Sequence, residues 1–311
     1  MTRFTGLTQD LFAVYVPEKW SSNVHNLPRM RNKDVLLALC DQAQTLLSDE
    51  LTGLQRSSSD EIPTIVNHKK VDAQWVFWFR DASARAHLAS FLEKTPLTEA
   101  EIFNIAPQDK HVTLALVVRQ NHLWVGVRLS PQAVVDRKNV ASKYEKSWER
   151  ERFMALLANL PEQCQVGFEG ETVPVKDVSM GMLETWGTRM GHTDPAWSLG
   201  VSLTPEEAAT MGADLASYLA QCITAYAPVY RFACWTRDND QIEATKQIQE
   251  EKHHKRKHST AFNTGDKVKI TSGLFMGKTG IVQETDTKAQ VKVLVGKMSV
   301  VLNGTDLTPA S

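Results

Sequence analysis

Three stretches of this 311-residue chain carry side chains whose types and spacing point to chemistry. Asp136-Arg137-Lys138 has the acid-x-Lys spacing of metal-dependent nucleases, in which a carboxylate holds Mg²⁺ and a lysine stabilises developing charge. No partner acid is recognisable nearby, so the expectation is a solvated helix face. His192 and Asp194 lie between Trp186 and Trp197 and have the types of an acid–base pair in a cleft. An Asx-type loop with a surface histidine is the simpler expectation. Gly273-Leu274-Phe275-Met276-Gly277-Lys278-Thr279 imitates a phosphate-binding loop. That loop needs four residues between its glycines and a helix behind it, and here strand material (Gly280-Ile281-Val282) follows. No HExxH, GxSxG or GxGxxG is present, and Cys40, Cys164, Cys222 and Cys234 form no CxxC pair. Buried reduced thiols, no metal and no cofactor are expected, and no catalytic residue is assigned beyond Asp136, His192 and Asp194 as candidates.

Charge divides the chain. Ten of its 35 basic and four of its 36 acidic residues lie at 252–311, a balance of +6, which leaves 25 basic against 32 acidic, or −7, at 1–251. The steepest part is Lys252-His253-His254-Lys255-Arg256-Lys257-His258. Such a block repels itself and reads as a solvated linker, or as a linker that also touches a polyanion. Its histidines have no cysteine beside them, and no metal site is expected there. The composition, 42% apolar and 23% charged, is that of a globular protein and excludes a mostly disordered chain. No apolar run is long enough for a membrane span and no secretion signal is read at the N-terminus, so a cytoplasmic location is expected.

Strands are expected at 74–79, 111–119, 123–129, 165–168, 172–175, 197–203 and 229–235, from aromatic and β-branched runs. Helices are expected at 34–47, 82–92, 149–160 and 205–226, from 3.6-residue spacing. Thr204, Pro205 and Glu207 make a capped start for the last of these, and Pro228 is expected to end it. The segments 55–60 (QRSSSD) and 187–195 (GTRMGHTDP) read as loops. The strings VGVRLSP (125–131) and LGVSLTP (199–205) echo each other, either as a duplicated module or because strand-to-helix junctions reuse the same residue types. Hairpins mixed with helices predict an α+β domain with a mixed or antiparallel sheet over 1–237. A helical and basic linker is expected over 238–261.

From Phe262 the pattern is all β. Val268 and Ile270 alternate with Lys267 and Lys269, and Val291 and Val293 flank Lys292. Turns are expected at Gly265, around Gly273 and Gly277, at Gly280 and at Gly296-Lys297. Five short strands in this length predict a small closed barrel over 262–308. The strings Gly265-Asp266-Lys267-Val268-Lys269-Ile270, Gly273-Leu274-Phe275 and Gly277-Lys278-Thr279-Gly280-Ile281-Val282, with the later Val291-Lys292-Val293 strand, resemble a KOW domain. They are closest to the C-terminal KOW domain of NusG-type transcription factors. The resemblance implies a five-stranded barrel that binds RNA, ribosomal proteins or the transcription machinery without catalysis. It does not reach the region 1–237, so polymerase docking does not carry over.

These readings combine into one expectation, a non-enzymatic nucleic-acid or ribonucleoprotein-associated protein linked to transcription or translation. RNA, RNA polymerase or ribosome would be held by Lys255, Arg256, Lys257, Lys267, Lys269, Lys278, Lys292 and Lys297, with Phe275 stacking on a base or plugging the barrel end. The acidic domain is left for a protein partner. Two alternatives remain open at this level: a hydrolase or nuclease targeted by the tail, and a protein-interaction scaffold.

Overall fold

The computed structural model describes residues 4–92, 106–190, 195–242, 262–285 and 290–310. The chain divides into two compact units, Met1–Ile242 and Glu243–Ser311. Both are built on antiparallel sheets, and the first is α+β.

The first unit has seven strands: β1 (Leu54–Ser58), β2 (Ala73–Arg80), β3 (Thr113–Arg119), β4 (His122–Leu129), β5 (Gln165–Phe168), β6 (Glu171–Pro174) and β7 (Trp197–Leu203). Their order is β1-β2-β3-β4-β7-β5-β6, with every pairing antiparallel. Its helices are α1 (Asn26–Gln44), α2 (Ala82–Leu92), α3 (Pro107–Lys110), α4 (Val134–Tyr144), α5 (Ser147–Leu157), α6 (Met180–Met190), α7 (Pro205–Thr210) and α8 (Leu215–Ala233). Side chains alternate across the sheet. Val76, Trp78, Leu116, Val125 and Leu199 point to one face and join the main core with Leu36 and Leu39 of α1 and Ile223 and Tyr226 of α8. Trp75, Phe77, Val117 and Trp124 point to the other face, where a separate small apolar cluster forms.

The segment 229–235, expected as a strand, is instead helical as far as Ala233 in α8. Burial at Leu219, Ala220, Ile223, Tyr226, Ala227, Tyr230 and Ala233 keeps helical spacing straight through Pro228, which sits on the exposed side. An interior proline costs about 3 kcal/mol. Burying each of Tyr226, Val229, Tyr230 and Phe232 returns roughly 1.5–3 kcal/mol, so packing wins over local propensity. The expected single helix at 205–226 is two, α7 and α8, parted at Gly212, whose φ is +51°. The serine-rich 55–60 stretch is not a loop: most of it is edge strand β1, paired to β2. Helix α6 takes the first part of the 187–195 segment. The two echoing strings are neighbours, β4 against β7, with Gly126 opposite Gly200.

The second unit has β8 (Lys267–Ile270), β9 (Thr279–Thr285), β10 (Gln290–Val295), β11 (Met298–Asn303) and β12 (Leu307–Pro309), in the order β11-β10-β9-β8-β12. Phe262, Val268, Ile270, Val282, Val291, Val293 and Leu307 form its core. Strands β11 and β12 are the edges, and no ladder joins them among the described residues, where the sequence reading expects closure. No helix among the described residues is long and apolar enough to cross a membrane.

Candidate nucleic-acid interface

In β8 the pattern KVKI sends Val268 and Ile270 into the core and leaves Lys267 and Lys269 exposed. Lys267 stands across from Ile281, and Lys269 stands between Thr279 of β9 and Thr308 of β12. In β10, Lys292 is exposed between buried Val291 and Val293 and stands across from Glu284 and Val301. Lys278 and Lys297 are exposed at the β8–β9 and β10–β11 turns. None of these five lysines makes an ion pair among the described residues. Each is a long flexible stem ending in a hydrated point charge, suited to phosphate but not to fixed bidentate geometry.

The turn between β8 and β9 is closed by Gly277 N–H donating to the Ile270 carbonyl at 2.8 Å. Gly273 and Gly277 have φ of +76° and +84°, which side-chain-bearing residues rarely adopt. Gly265 also has positive φ. Gly280 is no turn residue: it lies in β9, and a Cβ there would come 2.4 Å from Val293 Cγ1. Phe275 is not the exposed tip. Its half-buried ring packs on the core with the Lys278 ammonium 5.9 Å from its centroid, while Leu274 is 100% and Met276 71% exposed. The larger apolar surface of phenylalanine takes the inward place.

Asp136 is corrected from a solvated to a buried group, with 1% exposure. It is ion-paired to Arg80 of β2 and accepts N–H groups from Val112 at 2.9 Å and Trp235 at 2.8 Å. Burial opposes the Arg80 charge, and the Asp136 carboxylate more than offsets it, holding the guanidinium protonated. Arg137 is also buried, donating to the carbonyls of Met190, Pro195 and Arg189. The physical reason is that 133, 136, 137, 140 and 144 share the inward side of the α4 region, so Asp136 and Arg137 are enclosed while Lys138 stays exposed. Asp136 is a tie between β2, the entry to β3 and the end of α8, closed to solvent and substrate. Beside it His111, buried against Phe79, is lowered to about 4 by burial and then by Arg80. Among the described residues no three His, Cys, Asp or Glu side chains cluster as a metal site. All four cysteines are buried, and burial raises their thiols.

His192 and Asp194 lie outside the described residues, as do Lys255, Arg256 and Lys257. The sequence reading missed the open face of the first sheet, where Trp75, Trp124 and Arg128 stand together. Its signal is present in the alternation of Ser198, Gly200 and Ser202 with Trp197, Leu199 and Val201, a strand with one apolar and one small, polar face. Neither known protein-family models nor curated proteins match this sequence.

Proposed function

We propose that this chain is a non-enzymatic RNA- or ribonucleoprotein-associated binding protein, linked to transcription or translation, that works through its C-terminal unit. The observation that carries the reading is the set of exposed lysines, without ion pairs among the described residues, at alternate strand positions, Lys267, Lys269 and Lys292, on a five-stranded sheet. They are three of the ten basic residues that give 252–311 its +6 balance. Unpaired ammonium groups bind phosphate by releasing its condensed counterions, which makes affinity fall steeply with salt. The KOW resemblance supports the same reading, with closure of the five strands into a barrel as part of it. The acidic first unit is left to engage a protein partner.

Fluorescently labelled single-stranded RNA titrated into the full chain, and into a chain ending at Glu251, tests this reading across a salt series. Binding by the full chain that weakens with salt and vanishes with the truncation is expected. Equal binding by both chains, or none by either at low salt, rejects it. Capture from native lysate with and without ribonuclease then distinguishes RNA bridging from direct contact with ribosome or polymerase.

A further inference from the structure

The open face of the seven-stranded sheet carries a groove of about 590 Å³, reaching from Trp75 on β2 to Thr172 on β6. Six strands at their usual separation make this a span of roughly 24 Å. Its floor is cut by Gly126 and Gly200. A Cβ at 126 would lie 2.5 Å from Trp124 Cζ2, and one at 200 would lie 2.9 Å from Trp124 Cε2. The Leu199 and Val125 carbonyl oxygens would lie nearer still, at 2.1 and 2.3 Å, so the two strands meet closely here and the benzo ring of Trp124 lies against bare backbone, half-exposed. Trp75, Val117, Trp124 and Ser202 form one row across the ladder. The two indoles are thus two strands apart, roughly 10 Å.

The arginines in the groove are already paired with carboxylates. Arg128 donates from Nη1 to Asp109 at 2.9 Å and from Nε to Glu169 at 3.0 Å, with its guanidinium over the Trp75 ring. Arg119 is paired to Asp72 at 2.6 Å. Burial, then the nearby Arg119, lowers His122 below its ordinary range, which disfavours a charged imidazole. Beside these ion pairs and His122, the groove presents hydroxyl and amide groups: Ser198, Ser202, Thr172, Gln163 and Gln165. A polynucleotide would need uncompensated positive charge here, and residues 1–251 carry −7 instead. An elongated, uncharged ligand with apolar ring faces and many hydroxyls matches each feature, the indoles taking the faces and the amides and hydroxyls taking the edges.

We propose that this groove binds a neutral linear oligosaccharide, with Trp124 as its main stacking platform and Trp75 as a second. The test is calorimetric titration of the full chain with cellohexaose, mannohexaose, xylohexaose and chitohexaose, with oligouridylate as the charged comparison. Saturable binding of at least one saccharide, unchanged by added salt, is expected. Trp124→Ala should weaken it by about tenfold or more, the loss of one large aromatic contact. Ser202→Trp, at an exposed position across from Trp124, should block the trough without disturbing the core, and covers the case in which Trp124→Ala fails to fold. Binding of none of the four saccharides overturns the proposal. So does saccharide binding that survives both folded variants, or oligouridylate binding that Ser202→Trp abolishes.

Discussion

On the open face of the seven-stranded sheet, Arg119 and Arg128 are each held by carboxylates. On the five-stranded sheet, the strand lysines 267, 269 and 292 hold none among the described residues. The first arrangement holds its positive charge in pairs within the protein. The second keeps its charge for a partner. The two units also differ in depth of core. The first buries an extensive apolar cluster together with the Arg80–Asp136 pair, whereas the second rests on seven buried side chains. All eight tryptophans and all five tyrosines lie within 1–242, so intrinsic fluorescence reports the first unit alone.

That optical separation makes the comparison breakable. Asp136→Ala leaves Arg80 buried without its carboxylate and frees the Val112 and Trp235 N–H groups. The first unit should lose about 3–5 kcal/mol, seen as a shifted urea midpoint by tryptophan fluorescence. A shift below about 1 kcal/mol would mean that the pair is not the tie described. For the second unit, the combined Lys267→Gln, Lys269→Gln and Lys292→Gln variant should bind single-stranded RNA about a hundredfold more weakly near 0.1 M salt, with the log–log salt slope reduced by about 2. The tryptophan-detected midpoint should not move. An unchanged slope would assign binding elsewhere.

Acid sharpens the contrast next. His111 is buried with a value of about 4, below its ordinary 6.5. Between those two values the unfolded chain binds more protons than the folded one, so stability is complete above the upper value and is lost as pH falls towards the lower. The first unit should be roughly 2 kcal/mol less stable near pH 5 than near pH 8 from this group. A His111→Gln variant should flatten the pH dependence by that amount, and an identical slope in the variant would refute it.

The sequence is legible wherever one face of an element is wet. KVKI in β8, VKV in β10 and the Thr204–Glu207 cap each show their fate locally, and the structure has them as expected. It is opaque where two faces are buried or where a polar group is enclosed. In 229–233 a strand-like composition is overruled by the spacing of Tyr226, Tyr230 and Ala233 against the sheet. Asp136-Arg137 looks solvated because its partners Arg80, Met190 and Pro195 come from distant segments. The groove was hidden for the same reason: Gly126 and Gly200 mean nothing singly, and only the β4–β7 ladder puts them under one indole.

The smallest expected effect tests the echo between the two strand-to-helix junctions. At the second, Thr204 Oγ1 accepts the Glu207 N–H at 3.2 Å, and a Glu207 carboxylate oxygen accepts the Thr204 N–H at 2.7 Å. At the first, Ser130 is buried and its hydroxyl turns to Gln132 at 2.5 Å, while α4 starts later, at Val134, without a side-chain cap. The letters match but the physics does not. Thr204→Ala should cost about 1 kcal/mol by loss of the cap. The double variant with Glu207→Ala should cost less than the two single losses together, because the two bonds form one reciprocal unit. Ser130→Ala should show no such coupling to Asp136 or to any α4 residue. Coupling there equal to that of Thr204 and Glu207 would mean that the junctions are equivalent, and the echo would then read as a duplicated module after all.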